Sequence, residues 1–244
     1  MPARLHCAGL ALAVSLALVE AHAADTLSPL IAAAKDGNQA AALALVAQGA
    51  GINEPEVDGT TALHWAVQTA DRKLVGALLE AGADANAANR YGMTPQHLAA
   101  INGDAETLRM LLAAGADPNA VLPEGETVLL SAARTGSVAA IDALVEAGAK
   151  VDSRENWYGE TPLIWAAAQN HADAVRALVA HGADPDMRSA KEVWEKRRAS
   201  QSVLPLGEWT PLIYAARENA LDAGKALIEG GANLDAVDPD GATA

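Results

Sequence analysis

Phenylalanine is absent from the 244 residues, and only five tryptophans and three tyrosines are present. Alanine is abundant instead, and small residues suit helices packed closely in layers. Basic residues are also scarce: 17 Lys and Arg stand against 31 Asp and Glu, a net charge of −14. That balance argues against nucleic acid as a partner, because phosphate binding needs a basic surface. It favours solubility and says little about fold. There is one cysteine, Cys7, which precedes an apolar run from Ala8 to Val19 broken only by Ser15. The run is too short to span a bilayer comfortably. With Arg4 before it and Ala21-His22-Ala23 after it, it reads as a secretory signal peptide over residues 1–23. Cleavage after Ala23 removes the cysteine and leaves no thiol, disulfide or cysteine metal site. No stable membrane insertion is expected afterwards, and the expected location is periplasmic or secreted.

Catalytic motifs are missing too. There is no G-x-S-x-G elbow, no P-loop and no H-E-x-x-H. His171 and His181 lie ten apart, a poor zinc spacing. Asp238-Pro239-Asp240-Gly241 imitates part of a calcium loop, but the first acidic ligand would fall on Ala236. The chain is therefore expected to be no enzyme and to carry no cofactor and no metal.

What the chain does have is a repeat. Asp58-Gly59-Thr60-Thr61-Ala62-Leu63-His64-Trp65-Ala66 returns in degraded form along its length. The threonine of this unit recurs as Thr94, Thr127, Thr161, Thr210 and Thr243, at steps of 33, 33, 34, 49 and 33 residues. Gly-Ala pairs starting at Gly49, Gly82, Gly115, Gly148, Gly182 and Gly231 keep nearly the same rhythm. Two independent markers with one spacing indicate stacked units. Each unit is too small to bury its apolar face alone, so its neighbours must supply the core. Leu74, Leu78 and Leu79, then Leu108, Leu111 and Leu112, then Ile141, Leu144 and Val145 mark the buried stripes of successive second helices. The recurring threonine stands at a helix start, where its oxygen can satisfy an unpaired N–H.

A period near 33 with a T-P-L-H-x-A-like start resembles the ankyrin-repeat family. The resemblance covers residues 28–244 and implies an all-α solenoid of stacked helix-turn-helix units joined by β-hairpin-like fingers. Six repeats are expected within residues 24–244, with the start of a seventh at 238–244. Its helices are missing, and Ala226, Leu227 and Ile228 look like a face expecting a neighbour. The family position of His64 and His97 implies imidazoles that bridge neighbouring repeats. The Ala-rich style suggests a bacterial protein. The resemblance also implies that the partner is another protein, held across the concave face and the fingers. An accessory role beside an enzyme or effector domain beyond residue 244 is the alternative.

The family's variable positions fall here on Tyr91 and Met93, on Glu124, Glu126 and Arg134, on Trp157, Tyr158 and Glu160, and on Trp209 and Arg217. Aromatic residues and arginine dominate interface energetics. Trp157, Tyr158 and Trp209 are expected on one edge of the groove. Trp65, Trp165 and Tyr214 share one position on the first helix, where they either floor the groove or pack between repeats. The 49-residue step implies an insertion, within residues 187–207. Ser189 to Glu192 has capping-box spacing, so a short basic helix is expected over residues 190–199. Arg197 and Arg198 are its candidate contacts.

Overall fold

In the computed structural model, residues 27–191 and 207–244 are described. Among them lie twelve short helices, arranged as six consecutive pairs. The pairs are α1 (Pro29–Lys35) with α2 (Gln39–Ala47), α3 (Ala62–Gln68) with α4 (Arg72–Glu80), and α5 (Pro95–Ile101) with α6 (Ala105–Ala113). They continue as α7 (Val128–Thr135) with α8 (Val138–Glu146), α9 (Pro162–Ala168) with α10 (Ala172–Ala180), and α11 (Pro211–Arg217) with α12 (Leu221–Glu229). Each first helix packs on its own second helix and on the first helix of the next pair. The second helices pack in sequence likewise, so the molecule is an all-helical solenoid two layers deep.

The core runs the whole length as one stripe. Leu63, Leu74, Leu78, Leu108, Leu111, Ile141 and Leu144 are fully buried. Leu79, Leu112 and Val145 are only partly buried and lie at its margin. The tight turn inside each pair needs a left-handed residue. Gly37, Gly103 and Gly136 provide it at no steric cost, while Ala70, Asn170 and Asn219 hold the same place.

The recurring threonine acts in two ways. Thr127, Thr161 and Thr210 accept from the N–H three residues on, at 3.2–3.3 Å. Where that third residue is histidine, the hydroxyl turns to the ring: Thr61 Oγ1 lies 2.9 Å from His64 Nδ1, and Thr94 Oγ1 lies 2.8 Å from His97 Nδ1. The Thr61 N–H also donates to His64 Nδ1. That network leaves the proton on Nε2, which donates to Met93 O in the next repeat at 3.0 Å. His64 is thus the expected bridge. His97 faces the equivalent backbone of Glu126 in the next repeat, but its buried Nε2 falls short of good hydrogen-bond geometry there, so this bridge is the weaker one.

A second ladder ties the repeats below the fingers. Asn53, Asn86 and Asn119 each donate to a glycine carbonyl of the next repeat and accept an N–H from it, at 2.8–3.0 Å. Asp152 and Asp186 continue the series but can only accept, from Asp184 N at 3.2 Å and Asn233 N at 2.8 Å.

Candidate functional site

Each finger is a short hairpin that opens a repeat and takes that repeat's number, from the second to the seventh, and all six share an equivalent closing backbone bond. These bonds are Glu56 N to Thr60 O, Asn89 N to Met93 O, Leu122 N to Glu126 O, Glu155 N to Glu160 O, Ser189 N to Trp209 O and Asp238 N to Ala242 O, all 2.7–3.2 Å. Fingers also bond to one another: Arg90 N to Asp58 O, Asn156 N to Glu124 O and Ala190 N to Tyr158 O, at 2.6–2.8 Å. Pro123 occupies that register in the fourth finger and has no N–H to give. The tip glycine is required by this close approach. A Cβ on Gly159, at φ +61°, would lie 2.9 Å from Ala190 N.

The fifth finger is one residue longer, which accounts for the 34-residue step. Its carboxylate, Glu155, is buried and accepts the N–H groups of Trp157, Tyr158 and Glu160 at 2.6–2.9 Å. The tip is therefore held rigid while Trp157 and Tyr158 remain 69% and 46% exposed. Tyr91 is 58% exposed on the third finger, with the Arg90 guanidinium 4.9 Å from its ring centre.

Behind the fingers, the ends of the first helices carry a repeated device. Lys35 lies 4.6 Å above the Trp65 ring and 3.5 Å from Glu56, and Trp65 Nε1 donates to the same carboxylate at 3.2 Å. Arg134 lies 5.6 Å above the Trp165 ring and 3.2 Å from Glu126, which also accepts from Ser131 Oγ at 2.7 Å. Arg217 lies 4.0 Å above Trp209, whose ring meets Tyr214 edge-on at 5.2 Å. Tyr214 donates to Glu160 at 2.7 Å. Burial raises the Glu160 carboxyl above its ordinary range, against the hydrogen bond from Tyr214. Burial and the neighbouring Glu160 push the Tyr214 phenol well above its ordinary value.

Glu126, Glu160 and Trp209 are thus engaged within the protein, Arg134 is paired, and Met93 uses its carbonyl to hold His64. Tyr91, Glu124, Trp157, Tyr158 and Arg217 are exposed. The edge expected to join Trp157, Tyr158 and Trp209 divides: the first two are exposed at a tip, and Trp209 is half-buried beneath Arg217. Trp65, Trp165 and Tyr214 are half-buried, and Trp65 packs against the core. Lys35 and Glu56 escaped the sequence reading. Lys35 stands seven residues after Ser28, as Arg134 and Arg217 stand seven after Thr127 and Thr210, so register alone could have found it.

The insertion springs from the sixth finger. Lys191 and Gly207 form an antiparallel bridge, and Lys191 Nζ lies 3.7 Å from Glu208. This corrects the expected helix start: Ala190 and Lys191 are finger stem, and the Ser189 hydroxyl accepts from Trp209 N at 3.2 Å instead of capping a helix. Residues 192–199 of that expected helix, with Arg197 and Arg198, lie outside the described residues. His171 and His181 have structural partners, Arg134 O at 3.0 Å and Asp142 Oδ1 at 2.7 Å.

No curated protein matches this chain. The crystal structure of the human ASB11 ankyrin repeat domain is similar to it, with a TM-score of 0.73 and 28% identity over 89% of this chain and 90% of that one. The family model described as ankyrin repeats (3 copies) matches residues 6–89, 30–122 and 96–189, and the single ankyrin-repeat model matches residues 207–239. The chain belongs to the ankyrin-repeat family.

Proposed function

We propose that this protein is an exported, non-enzymatic scaffold that binds another protein across its fingers and the groove face of its first helices. Ankyrin repeats generally mediate protein–protein interaction, which supports the general class. The observation that carries the reading is the fifth fingertip. Trp157 and Tyr158 are exposed, yet Glu155 accepts both of their backbone N–H groups and that of Glu160. Rigid aromatics at an exposed tip lose little entropy on binding. Tyr91, Glu124 and Arg217 extend the same surface, and Arg197 and Arg198 of the insertion are candidate contacts. Export rests on Arg4, the apolar run and Ala21-His22-Ala23.

The test is capture with the mature chain from a periplasmic extract, repeated with variants. Trp157→Ala, and Arg197→Ala with Arg198→Ala, should each weaken capture while the melting temperature stays nearly constant. Unchanged capture with lowered stability would mean that these residues serve the fold. Mass spectrometry of the N-terminus tests export: an intact Met1 in a cytoplasmic fraction sinks it.

A further inference from the structure

The three cations at the ends of α1, α7 and α11 occupy one register, seven residues after Ser28, Thr127 and Thr210. Each lies over an indole. The first two stations are complete, because Glu56 pairs with Lys35 and Glu126 with Arg134. The third is not. The finger position that holds Glu126 beside Arg134 holds Trp209 beside Arg217. The position of Glu56 is taken by Asp238, whose carboxylate accepts from Asp240 N and Ala242 N, both at 2.9 Å. Glu160, the acid nearest Tyr214, already accepts that phenol at 2.7 Å. Among the described residues no carboxylate lies within ion-pair distance of Arg217, which is exposed.

We propose that Arg217 is a carboxylate-binding station, which takes an aspartate or glutamate side chain of an acidic segment of the protein partner. This rests on the reading of the groove face as the binding surface. The guanidinium carbon sits 4.0 Å from the Trp209 ring centre, and the guanidinium presents its N–H donors to a partner as a rigid planar fork. Such a fork matches a carboxylate with two parallel hydrogen bonds. The flat ring, itself braced edge-on by Tyr214, pre-organises a side chain that would otherwise lose rotamer freedom on binding. At the two complete stations the indole comes from the next repeat, and at the third from the finger of the cation's own repeat. In both complete ones a cation over an indole takes a carboxylate that the chain itself supplies.

The experiment uses the full chain with nitrogen-15 in its arginines, observed at the side-chain Nε–H resonances. The probe is N-acetyl tetraglutamate, with inorganic phosphate and an acetylated lysine peptide as comparisons. The Arg217 resonance should shift saturably with tetraglutamate, and that of Arg134 should stay still. Arg217→Lys should weaken the peptide about tenfold, the loss of a charge-assisted contact. Trp209→Leu, which keeps the arginine, should weaken it less. Glu126→Gln removes the acid at the second station and should make the Arg134 resonance respond as well.

Equal responses of Arg134 and Arg217 in the unaltered chain overturn the proposal. So does an equally strong response to phosphate, or an Arg217 resonance that is protected before any peptide is added. If Trp157→Ala abolishes partner capture while Arg217 stays silent, the binding surface stands and this station falls. If Arg217 responds and no groove or finger variant affects capture, the reverse holds.

Discussion

His97 is fully buried, and its imidazole has no carboxylate within hydrogen-bonding distance. Burial depresses its pKa from 6.5 to about 4, and His64 is lowered for the same reason. The folded state therefore holds a neutral ring where the unfolded chain takes up a proton. Stability is complete above pH 6.5 and falls as the pH drops through the window to about 4. The loss attributable to His97 is on the order of 3 kcal/mol. Denaturant midpoints should fall across that window at high salt, and less steeply in His97→Gln; a flat profile down to pH 4 would contradict the buried neutral ring. A second residue-scale prediction comes from the ladder below the fingers. Asp152 and Asp186 accept an N–H each but cannot donate as Asn53, Asn86 and Asn119 do. Gly182 is in register with the accepting glycines Gly82, Gly115 and Gly148. Asp152→Asn should add the missing bond and stabilise by about 1 kcal/mol, or roughly 2–4 °C in Tm. A lower melting temperature would show that the carboxylate has a use of its own.

Helices of seven to nine residues cannot stand alone, so each depends on its neighbours. Leu111 in α6 is fully buried, and Leu111→Ala should cost about 2–5 kcal/mol in a denaturant melt. In α12, by contrast, Leu221 is 67% exposed and Ile228 49%. Hydrogen exchange of helical amides should be fastest there and slowest in α5 to α8, and uniform protection in a monomer would refute this. The helices and fingers were legible because local rules place them. Thr-Pro opens a first helix, Gly-Ala follows a second, and spacing marks the buried stripe. The stations on the groove face were not legible as units. Trp65 meets Lys35 across thirty residues, and Tyr214 meets Glu160 across 54. Such pairs form only when one repeat is laid on the next, and the 49-residue step hides the last of them further. The insertion misled for a related reason. Ser189 to Glu192 satisfies a capping-box pattern, but hydrogen bonds to Trp209 on the returning strand hold Ser189 in the finger stem.

A solenoid has no centre in which to hide charge, and this one carries −14. The acidic residues are spread along fingers, turns and outer helices, so each repeat repels its neighbours. Against this stand surface ion pairs such as Arg176 with Asp173 and Lys225 with Asp222, whose side chains are at least half exposed. Exposed pairs of this kind contribute about 0–1 kcal/mol each. Salt weakens both effects. The repulsion acts between many charges over distances comparable to the screening length of ~8 Å at physiological ionic strength, and is reduced most. Pairs at contact distance are screened less. The balance predicts that the fold gains stability as sodium chloride rises from millimolar to physiological concentration, the opposite of a protein held together by surface ion pairs. Thermal melts of the full chain at neutral pH across that range provide the measurement. A melting temperature that falls with salt would mean that networks such as Arg72 with Asp104, whose carboxylate is largely buried and 2.8 Å from the guanidinium, outweigh the net charge.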